Sequence, residues 1–138
     1  MSESNERHFC SVVIPKPALD RSKAALLNDF KWQPGTRVRV RFLDGAPGLR
    51  ARVQAVADQW TGPGLANVRF AFVDDADPGD ADIRIAFAEG DGSWSYLGTM
   101  CQQIPARKPT MNYAGWCRIP MTTNCVGWYC MNSVTHWA

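Results

Sequence analysis

Ala81-Asp82-Ile83-Arg84-Ile85-Ala86-Phe87, followed by Asp91-Gly92-Ser93-Trp94-Ser95-Tyr96-Leu97-Gly98-Thr99, is the stretch whose reading decides the fold. Its first part alternates, with Ile83, Ile85 and Phe87 on one side, as a half-buried strand does. Two earlier runs repeat the pattern. Arg37–Leu43 sets Val38, Val40 and Phe42 against Arg37, Arg39 and Arg41, and Asn67–Val73 points Val68, Phe70 and Phe72 one way. Between those runs Asp44-Gly45 turns the chain and Pro47 suits the first position of a helix, where its missing N–H is no loss. Leu49, Val53, Val56, Ala57 and Trp60 then form the apolar stripe of an amphipathic helix that Gly62-Pro63-Gly64 ends.

Strand, helix, strand in that order predicts a crossover and parallel pairing of the first two strands. Asp74–Ala81 reads as an acidic loop, and Thr110–Tyr113 as a short edge strand. The expected architecture is α+β: a twisted mixed sheet of about four strands with a long backing helix. Arg37, Arg39, Arg41, Arg69 and Arg84 read as the solvated face of that sheet rather than as a nucleic-acid patch, because alternation accounts for each.

Bulk composition agrees with a globular domain. The 138 residues are 46% hydrophobic and 20% charged, and the formal net charge of +2 is too small to argue for nucleic acid or an anionic membrane. No apolar run is long enough to span a bilayer. Residues 1–31 read as a leader or linker. The polar start has no signal-like apolar region, and Ser11–Ile14 is stopped by Pro15, so the cytoplasm is the default expectation. Ala18–Phe30 suits either a short helix or a linker. Of the five cysteines, Cys10 and Cys101 do not make a disulfide framework, and the other three lie in the tail.

Several pieces arrive in a familiar order: Trp32 with Gly35, Arg41-Phe42-Leu43-Asp44-Gly45, Gln59-Trp60, Asn67-Val68-Arg69-Phe70, and then the two motifs quoted first. Together, over residues 32–116, they resemble the amino-terminal subdomain of the astacin-like zinc metallopeptidases of the metzincin group. The motif positions are Gly92, Trp94, Ser95, Tyr96 and Gly98; Trp94 and Tyr96 also fit plain core aromatics. The resemblance implies a zinc cofactor and a peptide or protein substrate. It also implies that the strand after this loop, Thr110-Met111-Asn112, edges the cleft and pairs with extended substrate by β-augmentation. Many relatives carry a disulfide cysteine where this chain has Ser93, which points to a disulfide-free type and weighs against an extracellular setting.

A metzincin needs H-E-x-x-H-x-x-G-x-x-H. Two His four apart on a helix share a metal, the Glu acts as general base to metal-bound water, and the Gly turns the chain to a third His. This chain has only His8 and His136 and no His-Glu pair, so no catalytic or metal residue is assigned. Residues 117–138 nevertheless hide the motif. Read two bases later, the codons from Trp128 to Ala138 permit V-L-H-E-F-G-H-A-L-G, in which Glu, both Leu and Gly are forced. Upstream, Asn124–Gly127 permits E-L-R-R-V, and Arg118–Thr123 permits an acidic run suited to a helix start. Loss of one base, or gain of two, near Trp116 produces such a tail. The expectation is a truncated, frameshifted metallopeptidase fragment that is inactive as translated. Two alternatives remain: a non-catalytic peptide-binding module, and a small zinc protein using Cys117, Cys125, Cys130 and His136, whose spacing narrowly misses a Cys3His finger.

Overall fold

The computed structural model describes residues 10–13 and 29–114, and within them the alternating runs become strands. The Ala18–Phe30 helix-or-linker stretch up to residue 28, and the whole tail with its hidden motif, lie outside the described residues. The strands are β1 (Cys10–Val13), β2 (Arg37–Phe42), β3 (Arg69–Phe72), β4 (Ile83–Ala86), β5 (Ser93–Tyr96) and β6 (Met111–Asn112). Among the described residues the strands are accompanied by helix α1 (Pro47–Trp60) and a 3-10 helix (Gly98–Gln103).

Helix α1 spans the residues its sequence signals predict. Ala46 is extended, Pro47 opens the helix without needing a donor, and Thr61 closes it by donating its N–H to the Asp58 carbonyl. Leu49, Val53 and Ala57 are its buried face, flanked by the half-buried Val56 and Trp60. The turn into it needs glycine: Gly45 has φ 96°, and a Cβ there would sit 2.6 Å from the Phe87 ring.

The strands of the described residues form one mixed sheet, in the order β1-β5-β6-β4-β2-β3. β2 pairs parallel with β3, as the crossover argument expects; it also pairs parallel with β4, and β4 pairs parallel with β6. β5 then runs antiparallel to β6, and β1 lies parallel to β5. Six strands replace the expected four or so. One extra strand comes from the supposed leader, where Val12 and Val13 are good strand formers before Pro15, and the other is the motif strand itself.

One face of the sheet carries the core. Val38 and Val40 lie beside Phe70 and Phe72, Ile83 and Ile85 follow, and Met111 continues the layer, with Val53 and Ala57 of α1 packed against it. A row of rings crosses the strand ends: Phe72–Phe42 at 5.6 Å between centroids, Phe42–Phe87 at 6.2 Å and Phe87–Tyr113 at 6.1 Å.

The opposite face corrects the reading of the arginines. Arg37 and Arg69 are solvated, as alternation predicts. Arg84 is 4% exposed, and every residue of β4 is buried on both faces. Its guanidinium donates to the Lys108 carbonyl at 2.7 Å, Ala81 at 2.7 Å, Ile104 at 2.9 Å and Pro105 at 3.3 Å. Alternation gives the side of the sheet but not what covers it, and here the 104–108 loop does. Arg39 and Arg41 are half-covered by the acidic loop: Arg39 meets Asp77 at 2.8 Å, and Arg41 donates to the Asp77 and Gly79 carbonyls. The Gly79 N–H, followed by Arg39, holds the Asp77 carboxyl below the usual range.

Replacing Arg84 by Met leaves the buried Ala81 carbonyl and three part-buried ones without this donor, with an expected loss of roughly 3 kcal/mol in urea denaturation. Arg84→Lys should recover only part of it, since an ammonium does not reproduce the planar fork. For Asp77 the folded pKa is depressed, so its contribution is present above the unfolded carboxylate pKa and disappears as pH falls through the folded value. The stability difference between wild type and Asp77→Asn should therefore be largest near neutrality and vanish in strong acid. An acid-independent difference would contradict the assignment.

Candidate functional site on the fifth strand

The G-x-W-S-Y residues converge on β5, and the fold accounts for each of them. Gly92 has φ 69° at the strand's entrance, and its carbonyl accepts from Asn112 Nδ2 at 2.7 Å. Ser93 is buried, and its Oγ accepts the Ala114 N–H at 3.1 Å. Ser95 is buried and its Oγ donates to the Tyr96 carbonyl. Trp94 and Tyr96 share the other face and meet edge-on at 5.8 Å. Tyr96 also packs with Leu97, Met100 and Phe30, which supports a packing role for it. Gly98, at φ 47°, is required by a close approach: the Phe30 carbonyl lies where a Cβ would stand and accepts the Thr99 N–H at 2.9 Å.

Thr110, Met111 and Asn112, expected at a substrate-pairing edge, are inside the sheet. β6 is hydrogen-bonded to β4 on one side and β5 on the other, so it has no free edge for β-augmentation. Their side chains are also taken up by the fold. Thr110 Oγ1 accepts the Arg84 N–H at 2.9 Å. Met111 is wholly buried in the core. Asn112 clamps the loop before β5, accepting the Ala88 N–H at 2.8 Å and donating to the carbonyls of Ala88 at 3.0 Å and Gly92 at 2.7 Å. The sequence did not separate this strand from an edge, because a two-residue ladder has too little alternation to show which sides are paired. The outer side of β5 is occupied as well, with Ser11 beside Trp94 and Val13 beside Tyr96.

Chemistry-bearing groups are sparse. Among the described residues no group of three or more His, Cys, Asp or Glu side chains is placed to hold a metal ion. Cys101 is buried, and burial pushes its thiol up to about 12, so it stays protonated and unreactive at neutral pH. What this region does is position a strand: Arg84 fixes the loop leading into β6, and Asn112 fixes the loop leading into β5.

With that geometry in hand, the chain resembles two solved structures of myroilysin. One is 30% identical with a TM-score of 0.66, covering 96% of this chain and 48% of that one. The other is 32% identical with a TM-score of 0.61, covering 80% and 48%. The fold is metallopeptidase-like. The chain spans about half the length of the solved structures it matches. No family model matches it, and neither does any curated protein. No helix among the described residues is long and apolar enough to cross a membrane.

Asn112→Ala removes three hydrogen bonds of a buried amide, and the expected cost is roughly 2 kcal/mol. Asn112→Asp should be no better, because it turns a charged oxygen toward the carbonyls that the amide served. Faster amide exchange at Ala88 in Asn112→Ala checks the clamp directly. Unchanged exchange there would remove the role assigned to Asn112.

Proposed function

We propose that residues 32–116 are the amino-terminal part of the catalytic domain of an astacin-like, metzincin-type zinc metalloendopeptidase, and that residues 117–138 are its zinc helix read out of frame. Residues 1–31 form the leader, part of which joins the sheet through β1. The observation that carries this reading is the likeness to myroilysin at 30% identity, over 96% of this chain and 48% of that one; the out-of-frame assignment of the tail rests on the codons that hide H-E-F-G-H-A-L-G. The intact enzyme would act on peptides or proteins.

The residues present do not fit a catalytic zinc centre. The two histidines stand at positions 8 and 136, no His-Glu pair occurs, and the described residues hold no converging donor set. No step of peptide hydrolysis is therefore assigned to this chain, which we expect to be inactive. Its own contribution is the sheet and α1, a scaffold in which β6 is paired on both sides.

The gene sequence across the Trp116 codon decides the reading. One inserted base there should open a frame that encodes the hidden motif and a third His beyond it. The frame-restored protein should hydrolyse casein and lose that activity to a chelator, while the 138-residue chain does neither. Absence of such a frame, or chelator-insensitive hydrolysis, would overturn the proposal. About one equivalent of zinc bound to the present chain through thiolates would instead support the Cys3His alternative. The peptide-binding alternative is weakened at Thr110–Asn112, where no edge is open.

A further inference from the structure

The chain holds two Asp-Gly pairs, Asp44-Gly45 and Asp91-Gly92, and the fold treats them differently. Such a pair can cyclise on itself, because glycine has no Cβ to crowd its nitrogen against the aspartyl side chain. At Asp44-Gly45 the parts that would have to move are held. Asp44 Oδ1 accepts the Phe87 N–H at 2.9 Å, and the Asp44 and Gly45 carbonyls accept from Arg50 Nε at 3.1 and 3.0 Å. The Phe87 ring lies 2.6 Å from where a Gly45 Cβ would stand, so the pair has little room to turn. Asp91-Gly92 lies instead in the bend that leads into β5. Both residues are exposed, and a Cβ on Gly92 would meet nothing within 4 Å. The Asn112 Nδ2 bond at 2.7 Å holds the Gly92 carbonyl, which lies beyond the peptide that has to rotate.

We propose that Asp91 is a site of spontaneous aspartate isomerisation in the folded protein, and that the fold protects Asp44 from the same reaction. The Gly92 nitrogen attacks Cγ of the protonated Asp91 carboxyl. The N–Cγ bond forms, the Cγ–OH bond breaks, and the hydroxyl leaves with the amide hydrogen as water. A water molecule then opens the succinimide ring. Attack at Cγ returns aspartate, and attack at the main-chain carbonyl carbon gives isoaspartate, so water is the only co-reactant. In isoaspartate the main chain runs through Cβ and Cγ and is one methylene longer. That extra length falls next to Gly92, whose carbonyl Asn112 holds, and β5 begins at the following residue. The modification therefore acts on the entrance of the motif strand. It does not rest on the peptidase reading, since it needs only the surroundings of the two pairs.

Ring opening takes its oxygen from solvent, which provides the test. The full chain is aged at neutral pH in water enriched in oxygen-18, folded in one sample and in urea in another, then digested with trypsin in ordinary water. The two pairs separate into different peptides, residues 42–50 and 85–107. From the folded chain, 85–107 should gain heavy oxygen, with isoaspartate placed at position 91 by electron-transfer fragmentation, while 42–50 stays unlabelled. In urea both peptides should be labelled. Asp91→Glu should lose the label in 85–107, because ring closure through the longer side chain is far slower. Circular dichroism before ageing confirms that the wild type and the variant are folded. An unlabelled 85–107 from the folded chain overturns the proposal, as does labelling of 42–50 as fast as that of 85–107. Label that persists in Asp91→Glu overturns it too.

Discussion

A guanidinium buried in the middle of the sheet is the constraint on which the rest of the arrangement depends. β4 lies between β2 and β6 with both faces covered, and Arg84 puts a permanent charge on one of them. Removing such a charge from water is costly, and hydrogen bonds to it are needed to offset that cost. The carbonyls of Ala81, Ile104, Pro105 and Lys108 meet that need, so the loop after the 3-10 helix must wrap over β4. A loop held there delivers Thr110 to the Arg84 main chain and lays β6 alongside β4. β5 is then placed against the only side of β6 that remains.

The sequence was most legible where one periodicity ran long enough to be unambiguous. Arg37–Phe42 alternates without exception, and α1 carries an apolar stripe between a proline start and a glycine-rich stop, so both elements lie where they were expected. Strand order was harder to read. Alternation reports the face of each side chain but not the neighbour of each strand, and Thr110–Tyr113 therefore passed for an edge. Arg84 misled for a related reason. An arginine at a polar-face position reads as solvated unless one knows that a loop twenty residues downstream returns to cover it.

The motif region was legible as a pattern before it was legible as physics. Gly92 and Gly98 answer to backbone needs, a left-handed turn in one case and the approach of the Phe30 carbonyl in the other. The Asn112 clamp left no comparable trace in the sequence, because a single asparagine after a threonine and a methionine gives no hint that it will satisfy a loop twenty residues earlier.

The pairing of β1 with β5 bears on the order in which the chain assembles. Cys10 lies opposite Ser93, so this ladder joins segments separated by most of the described chain. The β2–α1–β3 unit closes far shorter loops and has its own apolar contacts. Chain-closure entropy favours the local unit first, and contacts of long sequence separation are the slow ones. β1 has no sheet edge to join until β5 has docked on β6, and β5 depends in turn on the clamp from Asn112. The first strand in the sequence is thus the last to enter the sheet, and the first to leave it when the protein frays.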